Sequence, residues 1–353
     1  MSLVPTLAER AARARSDLRV GLPVVIDGHL AAAVETLSAD RLAALRAAGP
    51  AVLAITARRA ETLKARVYDG DLARVRLDGA ADLAWLRSVA DPSSDLMSPM
   101  KGPFFTDRGG DVTAHRAALG LAKSAQLLPA LVMVPVDTPP EGLTVLPAGP
   151  LLAQLAAETA LAPVAAARLP LAWSHDSKLH IYRPEDGGEE HYAVEIGTPH
   201  RDRPVLARLH SACFTGDVLG SLKCDCGPQL HAALSAMGEA GAGVLLYLNQ
   251  EGRGIGLANK MRAYGLQNQG FDTVEANHRL GFEDDERDFR IGAAMLRKLG
   301  FGQVRLLTNN PRKVAMMQDH GIAVTERVPL VVGRNRFNEG YLAVKAGKSG
   351  HLL

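Results

Sequence analysis

Apolar residues along this chain fall into short unbroken runs and longer amphipathic stretches, and the two kinds alternate. Residues 22–27 (LPVVID) and 130–136 (ALVMVPV) bring β-branched and other apolar residues together between polar or proline-marked ends, the pattern of buried strands. Residues 40–48 and 114–127 carry helical spacing. Further on, the pattern predicts helices over 228–240, 255–268 and 286–299, and strands over 243–249 (GVLLYLN) and 303–308 (QVRLLT). Pro311 suits the first position of another helix, with Asn310 as its cap and Gly321 as its stop. The polar stretch Pro184-Glu-Asp-Gly-Gly-Glu-Glu190 reads as a hairpin loop. Strands and helices in this order predict a mixed α/β (α+β) fold. At 353 residues the chain is long for one domain and suits two. The boundary is expected near Ala160, where the Pro- and Ala-rich LAPVAAARLP follows a helical pattern, giving domains 1–160 and 161–353.

Composition narrows the function classes. Hydrophobic residues are 47% and charged residues 22%, values of a folded globular chain. The formal net charge is +2, so no global field gathers nucleic acid, and an anionic ligand has to be held locally. The first residues are amphipathic and charged, unlike a signal peptide, and no run of about 18 apolar residues suggests a membrane span. A cytoplasmic protein with no nucleic-acid and no membrane partner is expected.

All three cysteines, Cys213, Cys224 and Cys226, fall within fourteen residues. An odd, clustered set makes a poor disulfide framework and suits a metal or reactive thiols in a reducing compartment. Two thiolates one residue apart point into one site from a loop, and a third arrives across the turn Thr215-Gly-Asp217. Three ligands with no evident fourth leave a position for water, the pattern of catalytic zinc, where bound water has a pKa of about 7. Three inert buried cysteines are the plainer alternative. His210 suits either a fourth ligand or a hydrogen-bonding neighbour of the site. The loop Gln250-Glu-Gly-Arg-Gly254 joins a strand to a helix, where backbone amides and Arg253 can meet a phosphate, although glycine-rich turns also occur as mere geometry. The acidic run Asp284–Asp288 reads as a helix start whose carboxylates meet the dipole. Arg287 opposes that dipole, which points to an anionic partner, a role a neighbouring carboxylate serves equally well.

The strings ARLHSACFTGDVLGSLKCDCGPQL, NQEGRGIGL, RAYGLQNQGFDTVEANHRLGFEDDERDF, VRLLTNNPRKV and ERVPLVVGRN, with a final GHLL, resemble GTP cyclohydrolase II over residues 161–353. The resemblance implies that Cys213, Cys224 and Cys226 bind a catalytic zinc. It implies that GTP contacts Arg208, Leu209, His210, Ser211, Ala212, Gln229, Glu251, Gly252, Arg253, Thr273, Thr308 and Lys313. Asp285 matches the family's proton acceptor, Arg287 an arginine acting at the α-phosphate, and Tyr264 a tyrosine of the guanine chemistry. Magnesium with the triphosphate and a homodimer follow from the same likeness. The implied reaction hydrolyses GTP twice, releasing formate and pyrophosphate, and leaves the diaminopyrimidinone ribosyl phosphate that begins riboflavin biosynthesis. Departures from the family pattern stand at Ala212, at Leu248-Asn249 and at Gly254.

The N-terminal part is more weakly similar to dihydroxybutanone phosphate synthase, through GLPVVIDGHLAAAVETLSADRLAALRAAG. That enzyme's Glu-Gly-Asp-Leu, Thr-Gly-Ile-Ser and Gly-His-Thr-Glu motifs are missing, so a degenerate, noncatalytic relative is expected over residues 1–160. Two rival readings are a cyclohydrolase II-like paralogue of pyrimidine catabolism and a noncatalytic zinc-containing binding module. The Asp285–Arg287 pair speaks against the first, and near-zero net charge without an aromatic stacking platform against the second.

Overall fold

Asp27 and Gly28 take φ values of 41° and 69°, the left-handed pair of a two-residue hairpin turn, and fold β1 (Val24–Ile26) back onto β2 (His29–Ala33). Around this hairpin a sheet assembles with β3 (Val52–Thr56), β4 (Leu72–Arg76), β5 (Ala130–Pro135) and β6 (Val145–Leu146). Its order is β4-β3-β5-β2-β1-β6, and within it β1 and β6 are the parallel pair. Helices α1 (Leu7–Arg19), α2 (Ala39–Ala48), α3 (Ala57–Thr62), α4 (Leu83–Ala90), α5 (Thr113–Ser124) and α6 (Ala148–Ala156) fill the connections. Strand residues alternate between two cores. Val25, Leu53 and Val132 pack with Leu86 of α4, whereas Val24, Leu131 and Met133 pack with Leu18 of α1 and Leu121 of α5.

The second sheet uses β7 (Leu161–Arg168), β8 (Ser177–Pro184), β9 (His191–Gly197), β10 (Val205–Ser211) and β11 (Ala242–Leu248), with α7 (Cys226–Glu239) between the last two. After α8 (Leu257–Asn268), α9 (Thr273–Arg279) and α10 (Arg290–Lys298) come β12 (Gln303–Leu307), α11 (Pro311–Asp319), β13 (Ala323–Val328) and α12 (Glu339–Gly347). The order is β13-β12-β10-β11-β9-β8-β7: the first four strands are parallel and the last three a meander. Pro184–Glu190 is the predicted hairpin loop, and Asn310 caps α11 by accepting from the Arg312 amide. The protein is thus mixed α/β with two sheets.

This computed structural model describes residues 3–347, 350 and 352, so His351 and Leu353 of the terminal GHLL string lie outside the described residues. It divides into two units, Met1–Ala157 with Ile255–Glu286, and Glu158–Gly254 with Arg287–Leu353. A single boundary at 160 does not describe this path, because the apolar sides of α8 and α9 complete the core that holds Leu53 and Ile55. LAPVAAAR, beside the expected boundary, is the edge strand β7.

The helix expected over 286–299 begins at Arg290, and Asp284–Asp288 is a loop. The Asp288 carbonyl is taken by Gln250 Nε2 at 2.8 Å, and its carboxylate accepts from the Arg290 amide at 3.0 Å and guanidinium at 2.8 Å. Those bonds hold Asp288 outside the helical ladder, so Arg287 opposes no helix dipole. Among the described residues no helix is long and apolar enough to cross a membrane.

Candidate functional site

In the second unit three parallel strands end on one edge. β10 runs into Ala212-Cys213, β11 into Asn249–Gly254 and β12 into Thr308–Lys313. Because β10 lies between the other two, the connections leaving this edge diverge, which opens a crevice where α/β sheets take ligands.

Cys213 follows β10, a single π-helical turn (Phe214–Val218) comes next, and Cys226 opens α7. The chain therefore supplies two of the three sulfurs from element ends, where the expectation had both close-spaced cysteines on a loop. All three Sγ atoms lie within 4.8 Å of one another, with Cys213 and Cys224 at 3.7 Å. A tetrahedral zinc with Zn–S of about 2.3 Å separates its sulfurs by about 3.8 Å, so these residues fit the ion. Among the described residues this is the one such group of three or more potential ligands. Gly216 seats the group: a Cβ there would lie 2.9 Å from Cys224 Sγ and 3.1 Å from Cys213 Sγ. Its hydrogen bond with Cys213, together with burial, pushes the Cys224 thiol up to about 11, and Cys213, Cys224 and burial push Cys226 up as well. A divalent cation reverses that preference by binding the thiolate.

Asp217 was not singled out from sequence, and its carboxylate organises the site. It accepts from the Cys213 amide at 3.0 Å and the Tyr247 hydroxyl at 3.0 Å, and lies 3.0 Å from His210 Nε2. The His210 and Tyr247 rings stack with centroids 5.5 Å apart. His210 thus has its ring held by a carboxylate while its Nδ1 is buried without a hydrogen-bond partner. Burial pushes the imidazole below its usual value against the pull of Asp217, which favours the neutral ring. An acid inside the turn between the clustered cysteines was the available signal for Asp217.

The cationic side chains have their own geometry. Arg208 is buried on β10, donates to the Leu307 carbonyl at 3.1 Å and to Gln229, and Gln229 in turn donates to Asp225. Burial pushes Arg208 down to about 10, opposed by Cys226, Asp225 and Asp217, so it remains cationic at neutral pH beside the sulfur cluster. Arg287 donates to Ser211 Oγ at 3.3 Å, and Lys313 to the Leu209 carbonyl at 3.1 Å. Both cations sit on the Phe289 ring, 4.7 and 4.6 Å from its centroid. Thr308 is buried, its hydroxyl accepting from the Asn310 amide. In the loop after β11, Glu251 accepts from the Phe214 amide at 2.6 Å and the Gly252 amide at 2.9 Å, linking the loop to the residue after Cys213. Gly252 and Arg253 have φ of 64° and 63°; the left-handed value at Arg253 costs energy that the surrounding loop must hold.

The structure therefore gathers Arg208 to Cys213, Cys224, Cys226, Gln229, Glu251 to Arg253, Arg287, Thr308 and Lys313 in the second unit. Tyr264, Thr273 and Asp285 belong to the first. Tyr264 lies on α8 with Lys260 Nζ 5.8 Å from its ring centroid, Thr273 starts α9 with its hydroxyl accepting from Gln267, and Asp285 is exposed on the loop before Arg287.

The GTP cyclohydrolase II family model matches residues 162–329. A GTP cyclohydrolase-2 of Azospirillum brasilense is 43% identical over 359 residues, covering 97% of this chain and 93% of the relative. The GTP cyclohydrolase-2 of Cronobacter sakazakii is 58% identical over 190 residues, 54% of this chain and 96% of its own length. A two domain 3,4-dihydroxy-2-butanone 4-phosphate synthase from A. baumannii is 16% identical with a TM-score of 0.32, covering 86% of this chain and 94% of that one.

Proposed function

This chain belongs to the GTP cyclohydrolase II family of enzymes, and from that premise we propose that it hydrolyses GTP to formate, pyrophosphate and a diaminopyrimidinone ribosyl phosphate, the first step of riboflavin synthesis. The observation that carries this reading is the meeting, at one edge of parallel strands, of a three-sulfur metal seat with the cations Arg208, Arg287 and Lys313.

Zinc on Cys213, Cys224 and Cys226 supplies, when bound, activation of water at neutral pH. The remaining work belongs to the chain. Asp217 holds Cys213 and His210 in place beside the metal seat. Arg287, braced by Ser211 and Phe289, acts at the α-phosphate, while Lys313 and Arg253 neutralise the remaining phosphate charge with magnesium. Glu251 keeps the Arg253 loop tied to the metal turn. Asp285 is the proton acceptor and Tyr264 serves the ring-opening chemistry, and the GTP contacts named from the resemblance, Thr273 included, complete the reading. Residues 1–160 take no catalytic part of their own, and the enzyme works as a cytoplasmic homodimer.

The test is incubation of purified protein with GTP, zinc and magnesium, followed by assays for formate, pyrophosphate and the pyrimidine. Pyrophosphate release without formate would contradict the proposed ring chemistry.

A further inference from the structure

The segment Ile255–Glu286 lies inside the family-matched stretch, yet it folds with residues 1–157. Two independent kinds of contact show how it is held. Leu266, Ala276, Leu280 and Phe282 are buried in one cluster with Leu53 and Ile55 of β3. A polar seam then ties the segment along its length. Near its start Arg262 donates to Asp91 at 3.1 Å, to Glu35 at 2.9 Å and to Asn259 at 2.6 Å, and buried Asn259 donates to the Gln126 carbonyl at 2.9 Å. At the turn between α8 and α9, Gln269 donates to the Ser93 carbonyl. Near its end the Thr56 hydroxyl donates to the Gly281 carbonyl at 2.8 Å, and Arg58 and Lys123 pair with Glu283 and Glu286 at 2.9 and 2.6 Å.

Helices of 12 and 7 residues are too short to persist alone in water, where about 12–15 residues is already marginal. Their order comes from what they dock on, and every docking partner named above except Asn259 comes from residues 1–157. We infer that residues 1–157 are a cradle that holds 255–286 in its working conformation, with Arg262 as the positioning residue, so that the N-terminal region sets the turnover of the cyclohydrolase reaction. The inference rests on the proposal that Tyr264, Thr273 and Asp285 of this segment serve that reaction.

The full chain carrying Glu35→Gln and Asp91→Asn tests it. In each variant the one remaining amide oxygen can stay on the Leu128 or Ser93 amide, while the NH2 that replaces the other oxygen faces Arg262, which loses both the charge and the acceptor there. With that guanidinium left part-buried among neutral partners, amide hydrogen exchange across 257–279 should speed up by about tenfold or more, while β1–β5 stay protected. The kcat for formate release should fall by about tenfold, with zinc content unchanged. Adding Arg262→Met removes the stranded charge and should restore most of both, since deleting all partners of a buried network costs far less than deleting some. Normal turnover despite lost protection, or unchanged protection of 257–279, would overturn the cradle. If the unsubstituted protein releases no formate from GTP, the proposed function fails instead, and the exchange data then judge the docking alone.

Discussion

Gly216 offers the sharpest test of the metal seat. A methyl added there would stand 2.9 Å from Cys224 Sγ, 3.0 Å from Cys226 Cβ and 3.1 Å from Cys213 Sγ, whereas carbon contacts are most favourable at about 3.5–4.0 Å. The neighbours would have to yield by about half an ångström. The turn has no room to retreat toward α7, because the Gly216 carbonyl already sits 2.3 Å from where a Cβ on Gly227 would be. The displacement falls on the sulfurs, and metal–ligand distances tolerate only about 0.2 Å. Overpacking of this kind costs about 1–3 kcal/mol, equivalent to a roughly 5- to 150-fold loss of zinc affinity. Titration of Gly216→Ala against a chromogenic chelator measures it, with far-UV circular dichroism confirming the fold. Gly149→Ala is the control, since a methyl there meets nothing within 4 Å. Wild-type zinc affinity in Gly216→Ala would refute the idea that this glycine seats the ion.

The other expectations can be stated briefly. Cys224→Ser with Cys226→Ser should lose the zinc found by elemental analysis at about one per chain, and chelation of the wild type should stop formate release; full occupancy in the double variant would remove the assignment. Arg287→Ala should lower formate and pyrophosphate production together by roughly 10² or more, as for the loss of a transition-state charge partner, and near-normal rates would reduce Arg287 to a brace on Phe289. Burial pushes His115 down to about 4, so between that value and its ordinary 6.5 the unfolded chain binds more protons than the folded one. Its contribution is complete above pH 6.5 and is lost as pH falls toward 4, up to about 3 kcal/mol. His115→Gln should therefore flatten the fall in urea midpoint between pH 7 and 4.5, and an unchanged slope would contradict a buried neutral ring.

Much of this was readable from the chain alone. Runs such as VVI and ALVMVP have no polar side and must be interior strands, and Asn310-Pro311 marks a helix start through its own local bonds. The three cysteines needed only spacing and count, because a thiolate cluster is defined by chemistry that few other residues can mimic. The acidic run 284–288 misled for the opposite reason. Carboxylates suit a helix start by local electrostatics, but the Asp288 carbonyl is claimed by Gln250, distant in sequence, and the helix waits until Arg290.

The order of residues sets the kind of each element and the chemistry available to it: apolar strands, amphipathic helices, a sulfur cluster, a cation-bearing loop. Tertiary structure alone decided the partners. Leu266 and Phe282 would satisfy their periodicity against any apolar surface, and only the fold commits them to the core of Leu53 and Ile55. Asp217 is one acid in a turn until β10 and β11 bring His210 and Tyr247 to it. Periodicity records that a residue has an apolar or polar side, whereas which surface meets that side depends on contacts between residues far apart along the chain.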